Sequence, residues 1–219
     1  MKNIKAIIFD MDGLLLDTER VSFRIHQEVA KRYDMEFTLT LYRRLIGRRL
    51  VDSRKEFLGE LDLGCKFDSF FIDVDNAYSS FVKEGPIPLK SGVLELLDFI
   101  DSKGLVAGVA TSTNELLAKH KLSTTGLLDY MHSVTSGDQV DNGKPAPDIF
   151  LKAAETMGFH PSECLVLEDS EAGVRGAYTA QMMPVMIPDL QEPSEETQRI
   201  ASHIFPSLND FLSYFRERA

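Results

Sequence analysis

The 219-residue chain has no tryptophan, only two cysteines and no apolar run approaching the roughly 18 residues of a membrane span. Cys65 and Cys164 lie far apart and fit no Cys-x-x-Cys spacing, which excludes a disulfide framework and a cysteine zinc site and leaves two buried thiols as the expectation. The five histidines, at positions 26, 120, 132, 160 and 203, form no ligand pattern, so only oxygen donors remain for a metal. Basic residues are in deficit. Lys and Arg number 24 against 34 Asp and Glu, the formal charge is -10, and the basic residues are scattered, which argues against a nucleic-acid polymer as partner. A small anion remains compatible wherever the local field is positive. The opening Met1-Lys2-Asn3-Ile4 is too short and strand-like for a signal peptide. The expectation is a cytoplasmic monomer without a membrane partner.

What is present suffices for a sizeable core, since 43% of residues are hydrophobic, and the length suits one large domain or two unequal ones. Apolar runs of strand length recur at Ile4 to Phe9, Leu105 to Ala110, Cys164 to Leu167 and Pro184 to Ile187, with a weaker one at His132 to Thr135. Helical patterns separate most of them. Val93, Leu94, Leu96, Leu97 and Ile100 share one face, and Pro147 to Met157 has Pro at a first helical position and Gly158 at its stop. The alternation predicts an α/β fold: a Rossmann-like parallel sheet with helices on both faces. Between the first two strands, from about Thr18 to Gly85, the periodicity is helical instead. Val21, Ile25 and Val29 stand four apart, and Phe67, Phe70, Phe71, Val74, Tyr78 and Phe81 form a stripe that reads as the core of a helix bundle. Gly85-Pro86-Ile87-Pro88 closes this insert with a stiff breaker. The expected division is a core of residues 1–17 and 86–219 and an all-helical cap of residues 18–85, hinged near Leu16 to Thr18 and Gly85 to Pro88.

Open parallel sheets bind ligands beyond the carboxyl ends of their strands. Asp10-Met11-Asp12-Gly13 follows the first strand, Thr111-Ser112-Thr113-Asn114 the second and Glu168-Asp169-Ser170 a later one, while Gly143-Lys144-Pro145 lies in the approach to the Pro147 helix. Crowded carboxylates repel, and a hard divalent cation such as Mg²⁺ relieves them. A carboxylate also attacks phosphorus, dividing a difficult hydrolysis into two easier steps. Asp10 is the better anchored nucleophile, and Asp12 is placed to protonate a leaving oxygen and then activate water. Thr111 and Ser112 offer a hydroxyl and amides to a phosphate, and Lys144 offers positive charge. Each segment alone also has an ordinary reading: a solvated turn, a helix cap, a surface lysine, a strand-end turn. Their arrival in order at strand ends points to one crevice.

Together, "FDMDGLLLDTE", "GKPAPDIF" and "EDSEAG" are specific, and the chain resembles the haloacid dehalogenase superfamily, in its β-phosphoglucomutase-like and phosphatase branch with a small helical cap. The resemblance implies Asp10 as nucleophile and Asp12 as acid/base. It implies Mg²⁺ held by the Asp10 carboxylate, the Asp12 main-chain carbonyl and Asp169, with Glu168 supporting, and a phosphoryl group bound by Thr111, Ser112 and Lys144. Asp12 separates this branch from the dehalogenases, which lack an acid/base there and have no use for Mg²⁺.

The expected activity is hydrolysis of a small phosphorylated metabolite, a sugar phosphate or nucleotide monophosphate, with a phosphosugar mutase as the alternative. Where the mutase pattern has a His, a Lys and an Arg in its cap, this chain has Ser22, Ile46 and Leu50, with Arg48 and Arg49 nearby. Residues expected over the crevice to choose the substrate are Glu19, Ser22, His26, Gly47, Arg48 and Arg49, with Asn114 on the core side. The ordinary readings are a helix-surface residue for His26 and a solvated pair for the arginines. A receiver-like phospho-acceptor module shares the acidic pocket, the Lys and the Thr or Ser, but has no reason to carry a cap or a second Asp. A non-catalytic metabolite-binding relic is disfavoured by the intact set of acidic and basic residues.

Overall fold

The computed structural model describes residues 3–57 and 66–218; Cys65 and the side chain of Leu50 lie outside the described residues. Six parallel strands form one sheet: β1 (Ala6–Phe9), β2 (Val106–Thr111), β3 (Ser133–Ser136), β4 (Cys164–Glu168), β5 (Met183–Met186) and β6 (His203–Ile204), in spatial order β3-β2-β1-β4-β5-β6. Helices α1 (Glu19–Lys31), α2 (Leu39–Arg43), α3 (Leu50–Phe57) and α4 (Phe67–Glu84) lie between β1 and β2. They are followed along the chain by α5 (Val93–Ser102), α6 (Glu115–Thr124), α7 (Asp148–Met157), α8 (Glu171–Thr179), α9 (Glu195–Ile200) and α10 (Leu208–Arg216).

All four residues of β1 are buried, as a central parallel strand covered on both faces requires. The two-residue period sorts them: Ile7 and Phe9 join an apolar cluster with α5, α6 and α10, whereas Ala6 and Ile8 join a second with α7 and α8. Five strands match the five apolar runs within one or two residues. The sixth was not anticipated, because a two-residue edge strand is too short to show alternation. Pro147 is the N-cap of α7 rather than its first helical residue, and Gly158 closes that helix at φ 78°. Cys164 is a buried thiol in β4.

Helices α1 to α4 and the loops joining them bury a cluster of their own, with Val29, Phe37, Tyr42, Ile46, Phe57, Phe70 and Phe71 among its members. The α4 stripe corrects expectation in part. Phe67, Phe70, Phe71 and Val74 enter this cluster, but Tyr78 and Phe81 pack against the sheet's own cluster. With 18 residues, α4 is about 27 Å long, enough to serve both bodies with one face. The two chain crossings run side by side: Asp17 N donates to Pro88 O at 2.8 Å and Lys90 N to Leu15 O at 3.0 Å. No helix among the described residues is long and apolar enough to cross a membrane.

Candidate active site

In the order β3-β2-β1-β4-β5-β6 the connections diverge on the two sides of β1, which opens a crevice beyond its carboxyl end. Asp10 is the first residue there. Its amide donates to Leu167 O at 2.9 Å, extending the ladder toward β4 and fixing the side chain over the sheet edge. After Asp12 the chain reverses at Gly13, whose φ of 88° suits glycine and where a Cβ would strike the Asp169 carboxylate.

Lys144 is fully buried behind Asp10. Its Nζ donates to Asp10 Oδ1, to Glu168 Oε1 at 2.6 Å and to Ala110 O at 3.0 Å. Burial alone would pull this lysine down, but the two carboxylates outweigh it and hold the ammonium form above its ordinary range. Burial pushes Asp10 up, with Lys144 pulling it partly back. The other oxygen of Glu168 accepts from the Ser170 amide at 3.0 Å and hydroxyl at 2.8 Å, so Glu168 holds Lys144 and the turn after β4.

Asp12 accepts three hydrogen bonds: Oδ1 from Thr18 Oγ1 at 2.5 Å and Lys121 Nζ at 2.6 Å, and Oδ2 from Thr113 Oγ1 at 2.8 Å. Burial would raise its pKa; Lys121 and the two hydroxyls overcome that and lower it. The loop after β2 is tied down by its own side chains. Thr111 Oγ1 accepts from Thr113 N at 3.2 Å, Ser112 Oγ donates to Gly47 O in the helical insert at 2.9 Å, and Asn114 caps α6 by accepting from Leu117 N at 3.0 Å.

Above this floor lies a cavity of about 640 Å³ lined from below by Asp10, Asp12, Thr111, Ser112 and Asn114 and from above by Glu19, Ser22, His26, Gly47, Arg48 and Arg49. The sequence-expected residues thus meet, but several differ from their simplest readings. His26 is a core residue rather than a surface one: at 4% exposure it packs between Phe37 and Tyr42, and Nδ1 bonds Ser22 O at 2.8 Å. Arg49 is half-buried and tied down rather than one of a solvated pair. It bonds Asp52 Oδ2 at 2.7 Å, Val140 O and Asp141 O at 3.0 Å each and Gly137 O at 3.3 Å, all within the chain. Arg48 is engaged within the chain as well. Gly47 rests on Ser170, whose side chain a Cβ there would strike. Glu19 receives the Tyr42 hydroxyl at 2.5 Å, and burial pushes its carboxyl up to about 8.

Sequence reasoning missed Lys121. It also assigned Tyr78 only to packing. A lysine one turn from Ala118 and beside Leu122, on the inward face of α6, was the available signal.

No group of three or more His, Cys, Asp or Glu among the described residues is gathered as a metal cluster. Mg²⁺ does not need one, since it keeps several waters and takes only one or two carboxylates from a protein. Asp169 supplies the fit. It is 1% exposed, neither carboxylate oxygen has a donor, and burial with Glu168, Asp10, Glu19 and Asp189 around it pushes its pKa well up. A buried carboxyl without donors fits the role of a cation ligand.

A family model described as haloacid dehalogenase-like hydrolase matches residues 4–180. The phosphorylated carbohydrates phosphatase of Thermotoga maritima is 35% identical over 181 residues, 81% of this chain and 82% of that protein. The (DL)-glycerol-3-phosphatase 2 of Arabidopsis thaliana is 31% identical over 219 residues, 95% of this chain and 89% of that protein. Among solved structures, a hydrolase from Pseudomonas syringae superposes with a TM-score of 0.83 at 25% identity, covering 98% of this chain and 99% of that one.

Proposed function

The chain belongs to the haloacid dehalogenase-like hydrolases, and from that premise we propose that it is a Mg²⁺-dependent phosphatase of a small phosphorylated metabolite, acting through an aspartyl-phosphate at Asp10. The observation that carries this reading is the pairing of Asp10 with buried Lys144, with Asp12 held two residues on by three donors. In the first half-reaction an Asp10 oxygen bonds phosphorus as the ester P–O bond breaks, and Asp12 gives the leaving oxygen its proton. In the second, Asp12 takes a proton from water as the water oxygen bonds phosphorus, and the acyl P–O bond breaks to return Asp10 and release phosphate. At rest Lys121 and the two hydroxyls keep Asp12 ionised, so it takes up the proton of the incoming phosphate monoanion, passes that proton to the leaving oxygen and is ionised again for the second half. Lys144, held against Asp10, supplies positive charge beside the transferring group, and the amides after β2 bear on the phosphoryl oxygens, where charge sits in the transition state. Asp10, Asp169 and the Asp12 carbonyl are the groups to hold Mg²⁺, which when bound neutralises phosphoryl charge beside these carboxylates.

Hydrolysis is favoured over mutase chemistry by the cap wall. Ile46 is buried in the helical cluster, and Arg48 and Arg49 are both engaged within the chain. A second phosphate therefore meets committed cations. Ser22 and Ser79 line the cavity, and their hydroxyls suit a hydroxyl-rich sugar phosphate ahead of a nucleotide monophosphate. A relative of 35% identity named for phosphorylated carbohydrates supports the same class.

Phosphate release measured with Mg²⁺ across sugar phosphates, polyol phosphates, nucleotide monophosphates and an aryl phosphate tests the proposal. Release is expected to stop on chelation and to fall by at least about 10³-fold in Asp10→Asn. Conversion of a hexose 1-phosphate to its 6-phosphate with a bisphosphate activator, without release, would overturn it.

A further inference from the structure

Lys121 is a buried cation at the site that touches both bodies of the molecule. It is 1% exposed on α6, and its Nζ donates to Asp12 Oδ1 at 2.6 Å and to the Tyr78 hydroxyl of α4 at 2.8 Å. The ammonium also lies 4.9 Å from the centre of the Tyr78 ring. A lysine so deeply desolvated persists only with partners on its protons, and one of these two is brought by the helical insert. A second Asp12 donor, Thr18, is the residue from which α1 of the insert springs. Thr113, from the loop after β2, is the only one of the three without such a tie.

We propose that Lys121 is a positioning residue that makes the orientation of Asp12 depend on closure of the helical cap, with the Tyr78 hydroxyl as the contact it senses. With α4 down on the core, Tyr78 fixes where Nζ sits, and Nζ fixes Oδ1. With α4 lifted, Nζ loses its second partner and Asp12 one defined donor geometry. A carboxylate that must face the leaving oxygen and then a water is sensitive to such a change, because a displacement of about 1 Å at a reacting group costs on the order of 10²-fold in rate. The inference rests on Asp12 being the acid/base, and its test separates the two ideas.

The test compares Tyr78→Phe, which keeps the ring packed, Lys121→Met and Asp12→Asn on two substrates in pre-steady-state kinetics. One is 4-nitrophenyl phosphate, whose leaving group needs no proton; the other is the best alkyl phosphate. Tyr78→Phe and Lys121→Met are expected to keep the wild-type rate of the nitrophenolate burst. Both should lose about 10- to 100-fold in the first turnover of the alkyl phosphate with KM little changed. The double variant should cost no more than Lys121→Met alone, since both act through one bridge. A lesion of packing would slow both substrates alike and would overturn the proposal. If Asp12→Asn shows the split while the two bridge variants do not, Lys121 is not the positioning residue. If Asp12→Asn shows no split, the acid/base assignment itself has failed.

Discussion

His26 lies between Phe37, Tyr42 and Phe70, its Nδ1 bonded to Ser22 O and its buried Nε2 without a partner. Burial holds its pKa down at about 4, against an ordinary 6.5. The folded value is the lower one, so as pH falls the unfolded chain takes up the proton first. The contribution to stability is therefore full above about 6.5 and is lost progressively toward about 4, amounting to roughly 3 kcal/mol. Urea unfolding at pH 7 and pH 4.5 is expected to show a smaller difference for His26→Phe than for the natural chain; equal differences would contradict it. The same residue marks what sequence can and cannot give. Asp10 and Lys144 are legible because a strand end and a family motif fix them. His26 is legible as a position over the crevice but not as an aromatic-core member, since its neighbours come from the loop before α2, from α2 and from α4. Lys121 was legible only as a lysine on the inward face of α6; its role was not, because that depends on Asp12, more than a hundred residues earlier.

Among elements, the loop from Gly47 to Arg49 and the helix α4 do most to join the insert to the core. Arg49 reaches three core carbonyls, of Gly137, Val140 and Asp141, while Ser112 returns a hydrogen bond to Gly47. Hydrogen bonds from a charged donor contribute about 1.5–3 kcal/mol each when well made, and part-exposure reduces that, so Arg49→Ala should weaken the closed form by about 1–3 kcal/mol. Small-angle scattering should then show an enlarged radius of gyration for the free protein, with KM raised several-fold; a curve identical to that of the natural chain would contradict the latch. Sequence periodicity found α4 but not its division of labour. Period alone says which residues share a face, and a helix of this length presents one face to two different partners. The short β6 escaped because pairing with β5, rather than any pattern of its own, makes it a strand.

For the whole molecule, the parallel sheet with β1 at its centre and the helices between β1 and β2 follow from where apolar runs, helical stripes and breakers fall along the chain. Topology then delivers the strand-end acids to one floor, and the insert roofs it to leave about 640 Å³ for a substrate. The charge of -10 is no obstacle to the anionic substrate proposed, because Lys144 is buried at the floor, where the local field matters more than the total. On the function proposed above, Asp10 carries the phosphoryl group and Asp12 discharges it. The most direct test mixes Asp12→Asn with 4-nitrophenyl phosphate and Mg²⁺, quenches in acid, reduces with borohydride and maps the peptides by mass. An aspartyl-phosphate reduces to homoserine, and the account predicts homoserine at position 10 alone. A nitrophenolate burst that leaves position 10 as aspartate, or homoserine at any other position, would contradict it.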